Sequence, residues 1–184
     1  QWSSPWSKSG FPGWHIECSA MSMKYLGEHF DIHTGGIDHI PVHHTNEIAQ
    51  SESATGNKFV NYWLHTEFLV LKDKEKMGKS GDNFIRLQTL IDKGYTPLQY
   101  RYFCLTANYR TPLYFSYEGL DSAKSSLQHL QEKVKELLRE KTSKGKIKSF
   151  QEKFQEQIND DLNTPKALAV LYEVIKTNEL GTKQ

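Results

Sequence analysis

Apolar residues recur at steps of three and four along several stretches of the chain, a spacing typical of amphipathic helices. It predicts one helix over residues 14–26 and a second at about 41–53, which begins near a proline. Two further helices are predicted over 85–94 and 96–107, the latter beginning after a Thr-Pro pair. The first part of the chain is therefore largely helical.

Shorter stretches between these helices follow strand patterns. Residues 30–36, FDIHTGG, alternate in polarity and end at a glycine pair, which predicts a short buried strand at about 29–33. Residues 59–71 are rich in aromatic and branched side chains, and we interpret them as a short helix or turn leading into a strand at about 66–71. We expect these two strands to be parallel and to carry a functional site at their carboxyl ends.

Beyond residue 110 the pattern becomes helical throughout. A narrow apolar seam predicts a long helix at 117–140. The seam consists of Leu120, Ala123, Leu127, Leu130, Val134 and Leu137. After a basic connector a helix restarts at residue 150, and a last helix can be capped by Asn163 or Thr164. These helices are typical of the beginning of a bundle.

The change of pattern predicts two domains, an α/β domain at 1–110 and an α-helical segment at 111–184. Seven of the eight histidines lie in the first 65 residues, so we expect the function in the first domain. The chain has no initiator methionine, and we expect it to be a fragment of a longer protein.

Composition excludes several classes of protein. The chain has 184 residues with 23 Lys+Arg against 22 Asp+Glu, so it lacks the basic field of a nucleic-acid coat. Its two cysteines, Cys18 and Cys104, are too few for a disulfide scaffold and fit a reducing compartment. No apolar run is long enough to span a bilayer.

Three residues have the chemistry of metal ligands. His43 and Glu47 are four residues apart, so a helix would place them on one face, and Cys18 lies upstream. Zinc takes cysteine, histidine and carboxylate donors, four as a rule. Such residues are more often a solvated His-Glu pair and an inert cysteine that packs as a small hydrophobe. Spacing alone does not distinguish a metal site from a solvent-exposed helix face.

Two other stretches could contact a nucleotide. Lys76 and Lys79 occupy the loop KMGKSGDN, where they could bind polyphosphate or form an ordinary solvated charge run. In HTGGIDH, Gly35 and Gly36 would let the backbone approach a ligand, and Asp38 could hold ribose hydroxyls. The alternative for that stretch is a plain turn at the end of a strand.

Taken together, these stretches resemble one family of class I aminoacyl-tRNA synthetases, the cysteinyl-tRNA synthetases. The resemblance rests on six stretches that follow the family's order and spacing: GWHIECSAM, HFDIHTGGIDHIPVHHTNEIAQSE, NYWLHTEFLVL, KMGKSGDN, YRYFCLTANYR and DDLNTPKALAVL. It implies the C-terminal half of a class I Rossmann-type parallel α/β fold, followed by a segment of an α-helical bundle.

The resemblance implies a cytoplasmic, monomeric enzyme that uses ATP with Mg²⁺ to activate L-cysteine as an adenylate and transfers it to tRNA-Cys. One zinc ion per subunit would be held by Cys18, His43, Glu47 and a further cysteine upstream. The ion would bind the substrate thiolate. Trp14 and His33 match the family's amino-acid pocket.

The resemblance also implies a nucleotide site with catalytic lysines. Lys76 and Lys79 match the two lysines of the KMSKS loop, which neutralise the transferring phosphates. Lys79 and three further residues are implied to lie beside the nucleotide: Gly35, Gly36 and Asp38.

The chain departs from the family pattern at three points. The N-terminal half with its HIGH-type motif is missing, so we expect this chain alone to be inactive. Gly78 replaces the middle serine of the KMSKS loop, and Phe11 stands where arginine is common. Two alternatives remain open: a related ligase that joins cysteine to an amino sugar in thiol biosynthesis, and a non-catalytic RNA-binding or structural fragment.

Overall fold

The computed structural model describes residues 3–5, 7–71, 85–139 and 147–177. The chain divides into two compact units, Gln1–Glu67 and Phe68–Gln184. None of the helices in the described ranges combines the length and apolar character needed to cross a membrane.

The described part of the first unit consists of two α-helices and two strands, with a 3-10 turn and a π-helical turn between the first strand and the second helix. Its elements in chain order are α1 (Trp14–Leu26), β1 (Phe30–Gly36), a 3-10 turn (Ile37–His39), a π-helical turn (Ile40–His44), α2 (Thr45–Thr55) and β2 (Val60–Thr66). β1 and β2 pair in parallel, with His33 opposite Trp63 and Gly35 opposite His65. The first predicted strand is confirmed as β1, but its parallel partner is residues 60–66 and not the predicted strand at 66–71.

The prediction of a helix or turn before residue 66 was wrong, because residues 60–66 form β2. Their side chains show no alternation of buried and exposed positions, so the usual strand signal is absent. What makes the segment a strand is its pairing with β1, about 30 residues away in sequence. The predicted strand at 66–71 is present only as a shorter strand at Leu69–Leu71, and it belongs to the second unit.

Helix α1 is confirmed at its predicted bounds, but its apolar residues do not form the buried face. Ile16 and Met21 are exposed, whereas Ser19 is buried and donates a hydrogen bond to Gln50 of α2 at 3.1 Å. Helix α2 in turn buries Glu47 and Ser51. Small and polar side chains therefore line the contact between α1 and α2, which places Cys18 beside Glu47.

The second unit contains a short parallel strand pair and five helices in its described part. These elements are β3 (Leu69–Leu71), α3 (Leu87–Asp92), α4 (Pro97–Leu105), β4 (Leu113–Phe115), α5 (Tyr117–Leu137), α6 (Ile147–Asn159) and α7 (Thr164–Lys176). β3 pairs with β4 with Val70 opposite Tyr114. The sequence pattern did not predict β4, which has three residues and is too short to show a period.

The predicted helices of the second unit are confirmed, as is the beginning of the long apolar seam. Leu120 and Ala123 of α5 are buried in a core with Phe103 and Phe115, but Val134 near the end of the helix is exposed. Of the two candidate caps for α7, Asn163 is the one whose side chain accepts from the backbone of residue 166. A domain boundary at residue 110 stays a prediction.

Replacing Thr96 by alanine is expected to lower the free energy of unfolding by about 1 kcal/mol. Thr96 caps α4: its hydroxyl accepts from the Gln99 backbone at 3.3 Å, and the Gln99 side chain accepts from the Thr96 backbone at 2.9 Å. The alanine variant removes the first bond and releases the second. Urea denaturation followed by circular dichroism measures the change. Thr96→Ser retains the hydroxyl and is the control; an equal loss in both variants would contradict the cap.

Candidate metal centre

The centre of the first unit is a buried carboxylate. Glu47 lies in the first turn of α2, and its side chain is 0% exposed. Its Oε2 lies 2.7 Å from Nε2 of His33, which comes from β1. A carboxylate removed from water in this way is unfavourable unless a cation, a proton or hydrogen-bond donors compensate it.

Among the described residues, none makes a hydrogen bond of good geometry to the second oxygen of this carboxylate. Glu47 Oε1 lies 2.9 Å from His43 Nε2, but the two are not aligned as a hydrogen bond, and Oε1 is buried and unsatisfied. His43 comes from the π-helical turn that runs directly into α2, which places the two residues one turn apart. A buried acceptor next to a histidine nitrogen is suited to a cation.

Cys18 completes a group of three donors. One ligand atom from each of Cys18, His43 and Glu47 lies within 4.8 Å of the other two. Thiolate, imidazole and carboxylate are the donors that zinc takes in proteins. The three residues therefore fit zinc in two respects: their donor chemistry, and the unsatisfied oxygen Oε1 of Glu47 close to the other two donors.

The surroundings of Cys18 favour the protonated form of its thiol. Burial raises its pKa, and the nearby Glu47 carboxylate raises it further. A metal ion that binds here must displace this proton, and its charge would reverse the effect of Glu47. Metal binding at this centre would therefore release a proton.

Three histidines form a network beside the carboxylate: His33 contacts Glu47 directly, His44 packs against His33, and His65 bonds to His44. The His33 ring stacks on Trp63 with centroids 4.8 Å apart, as their opposed positions on β1 and β2 allow. His44 is buried, and its Nδ1 lies 2.8 Å from Nε2 of His65. Burial, followed by the neighbouring histidines, lowers the pKa of His44 to about 4, so this ring is neutral at pH 7. The network holds His33 against Glu47 and orients the carboxylate.

A second group of three donors shares the carboxylate: His33, His44 and Glu47 also lie within 4.8 Å of one another. The hydrogen bonds from His33 to Glu47 and between His44 and His65 already use donor atoms of this group. We therefore assign it to the support of Glu47.

Gly35 lies where β1 approaches the histidine rings closely. A Cβ at this position would lie 2.5 Å from Cε1 of His44 and 2.6 Å from Nδ1 of His39. The backbone of β1 therefore approaches two histidine rings of the network. Gly36 ends β1, and Asp38 follows it in the 3-10 turn, at the strand's carboxyl end where the sequence analysis expected a site.

The remaining predicted residues are placed as follows. Trp14 begins α1, one turn before Cys18, and is 80% exposed. Lys76 and Lys79 lie outside the described residues. The solvent-exposed alternative for the His43–Glu47 stretch is wrong, because both His44 and Glu47 are buried.

Sequence reasoning missed three members of the network: His39, Trp63 and His65. Trp63 and His65 were assigned to a helix or turn rather than to β2, so their neighbours on β1 could not be inferred. One signal pointed to them. The concentration of histidines in the first 65 residues marked this part of the chain without revealing which rings meet.

Comparison with known proteins identifies the family. The model of the class I (C) tRNA synthetase catalytic domain matches residues 1–125, and the model of the DALR domain matches residues 153–182. The chain belongs to the class I (C) tRNA synthetase catalytic-domain family. The predicted fold class, a class I synthetase α/β domain followed by helices, is confirmed.

Relatives from three bacteria agree with this assignment. The chain is 51% identical over 179 residues to cysteine–tRNA ligase 1 of Burkholderia lata, covering 97% of this chain and 37% of that protein. It is 49% identical to the cysteine–tRNA ligase of Treponema denticola, covering 99% of this chain and 41% of that protein. The corresponding ligase of Chlorobaculum tepidum is 48% identical, with 96% and 36% covered. The chain thus spans about two fifths of the length of these relatives.

Proposed function

We propose that this chain belongs to an enzyme that ligates L-cysteine to tRNA-Cys at the expense of ATP, and that it contributes the residues that select cysteine. The observation that carries the proposal is the group formed by Cys18, His43 and the unsatisfied oxygen of Glu47. The relatives named cysteine–tRNA ligase, which align with nearly the whole chain, support it.

We propose that Cys18, His43 and Glu47 are three ligands of one zinc ion. When bound, zinc would supply a Lewis-acidic centre with affinity for the thiolate of cysteine. His33 holds Oε2 of Glu47 at 2.7 Å, which leaves Oε1 for the metal. The stack of His33 on Trp63 fixes the ring that makes this bond.

Selection of cysteine over serine follows from the donor chemistry. Thiolate is a soft and strong zinc ligand, whereas an uncharged hydroxyl is a poor one. Cysteine would therefore bind the zinc ion through its side chain much more tightly than serine. We assign Trp14 and His33 to the amino-acid pocket. The high exposure of Trp14 is compatible with contact to a ligand.

The nucleotide part of the proposal uses other residues. Gly35, Gly36 and Asp38 lie at the carboxyl end of β1, the usual position of a nucleotide in parallel α/β folds. We assign them to the ATP site. Lys76 and Lys79 are assigned to the phosphates of ATP with its Mg²⁺, where their charges would stabilise the transferring group.

We also propose that the enzyme acts in the cytoplasm as a monomer. Both cysteines of the chain are free thiols, which accords with a reducing compartment. Sedimentation equilibrium of the purified enzyme would measure its mass directly.

Cysteine is expected to support ATP–pyrophosphate exchange roughly 10⁴-fold better than serine. The assay uses a chimera in which this chain replaces the matching segment of the Burkholderia lata ligase, beside the unaltered ligase as control. The difference in kcat/KM reflects the thiolate's affinity for zinc. Equal exchange with both amino acids would contradict selection by the metal centre.

The acceptor is tested in the same chimera. Charging of tRNA-Cys is expected, and transfer of cysteine to an amino sugar would instead identify the thiol-biosynthesis ligase. The match to the DALR domain at residues 153–182 and the long helix α5 favour the tRNA acceptor.

A further inference from the structure

The turn between α6 and α7 has an unusual backbone. Asp161 and Leu162 both have positive φ, 54° and 55°, in the left-handed region. This conformation is unfavourable for residues other than glycine, aspartate and asparagine, and leucine is among those that adopt it rarely. Such a conformation persists only where the surrounding contacts impose it, which makes those contacts informative about function.

The side chain of Asp161 is held by three hydrogen bonds from one short segment. The Tyr109 hydroxyl donates to Oδ1 at 2.6 Å, while Arg110 donates from Nε to Oδ2 and from Nη2 to Oδ1. The guanidinium carbon of Arg110 lies 5.0 Å from the centre of the Tyr109 ring. Both donors belong to the connector between α4 and β4, so the contact joins distant parts of the sequence within the second unit.

A second set of hydrogen bonds joins helix α7 to helices α4 and α5. The Tyr102 hydroxyl of α4 lies 2.8 Å from the Tyr172 hydroxyl of α7, which donates to the backbone oxygen of Ser126 in α5 at 2.9 Å. Burial and the Tyr172 hydroxyl raise the pKa of Tyr102. Helix α7 is thus fixed at its middle to α4 and α5, and the Asp161 contact fixes the turn at its beginning.

These contacts join the two matched family domains. Tyr102, Tyr109 and Arg110 lie within the match to the synthetase catalytic domain, whereas Asp161 and Tyr172 lie within the match to the DALR domain. A single exposed ion pair contributes little to stability. Here one carboxylate takes a two-pronged guanidinium contact and a hydroxyl, an arrangement that fixes orientation as well as distance.

We propose that Tyr109, Arg110 and Asp161 form a latch that positions α6 and α7 for transfer of the aminoacyl group to RNA and has no part in amino-acid activation. The proposal rests on the proposed function. The candidate activation residues all lie at 14–79, outside the latch. A large RNA must contact surface beyond the residues that bind cysteine and ATP, so we expect aminoacyl transfer to depend on the placement of the following helices.

Substitution of Asp161 is expected to separate activation of the amino acid from its transfer to RNA. Asp161→Asn retains a residue that tolerates positive φ but loses the charge that binds Arg110. In the Burkholderia lata chimera, we expect kcat/KM for charging tRNA-Cys to fall about tenfold, with ATP–pyrophosphate exchange unchanged. Asp160→Asn is the matched control: Asp160 is the preceding residue, is 61% exposed and lies 3.7 Å from Lys166.

A second pair of variants tests the geometry. Arg110→Lys retains the positive charge but cannot donate two hydrogen bonds to Asp161 as the guanidinium does. It is expected to reproduce the selective loss of charging. Arg110→Gln combined with Asp161→Asn is expected to cost no more than the larger single change, because both remove the same contact. Additive losses would overturn the latch.

A structural measurement on the 184-residue chain completes the test. Amide hydrogen exchange at residues 160–163 is expected to accelerate about fivefold or more in Asp161→Asn and to stay unchanged in Asp160→Asn. Unchanged exchange in Asp161→Asn would overturn the latch, as would equal losses of activation and charging in that variant. Failure of the wild-type chimera to charge tRNA-Cys would contradict the proposed function. A charging wild type with an equally active Asp161→Asn variant would contradict the latch alone.

Discussion

Replacing Glu47 by glutamine is expected to abolish stable zinc binding by this chain, with a loss of affinity of at least about 100-fold. The substitution leaves the size of the side chain almost unchanged, so it removes the charge without creating a cavity. The amide offers a weaker oxygen donor and two N–H groups that need acceptors. In the buried position of Glu47, between His33 and His43, the proposed metal would then lose its only carboxylate ligand.

Zinc content after dialysis and competition with a chromogenic chelator measure this affinity. Glu52→Gln is the matched control, since Glu52 belongs to the same helix and its Oε1 accepts from the Phe59 backbone at 3.1 Å, a bond that glutamine retains. Cys18→Ser is a second variant on another element and is expected to lose zinc and cysteine affinity together. Zinc at full stoichiometry in both Glu47→Gln and Cys18→Ser would refute the ligand assignment.

Replacing Gly35 by alanine is expected to lower the free energy of unfolding by about 2 kcal/mol and to weaken zinc binding by roughly 10- to 100-fold. The added methyl would lie 2.5 Å from His44 and 2.6 Å from His39, so at least one ring must move. His44 is buried and bonded to His65, and its displacement would disturb the network that holds His33 against Glu47. The effect on the metal is therefore indirect.

Urea denaturation and zinc titration measure the two parts of this prediction. Gly10→Ala is the control, because a Cβ at Gly10 meets no atom of the described residues within 4 Å. A stability loss without any change in zinc affinity would show that the histidine network does not orient the ligands. Unchanged stability would show that the rings move freely.

The helices could be predicted from the sequence because their signals are local. The capping box at Thr96 and Gln99, the cap at Asn163 and the seam of α5 each lie within a few residues of the structure that they specify. Strand β2 could not be predicted in the same way, because its partner β1 precedes it by about 30 residues. The bounds of helix α1 could be predicted from local spacing. Its buried face could not, because α1 buries Ser19 against α2 and leaves Ile16 and Met21 exposed.

For the candidate site, the sequence by itself determined the donor residues and their chemistry. Cys18, His43 and Glu47 were identified from residue type and from family resemblance, and no spacing rule distinguished a ligand group from a solvated pair. Only the tertiary structure excluded the solvated pair. It does so because burial is a property of packing: the contact of α1 with α2 and the pairing of β1 with β2 remove Glu47 from water and surround it with histidines. The need of this carboxylate for a compensating cation, proton or hydrogen-bond donor arises from that environment, which no short stretch of the chain contains.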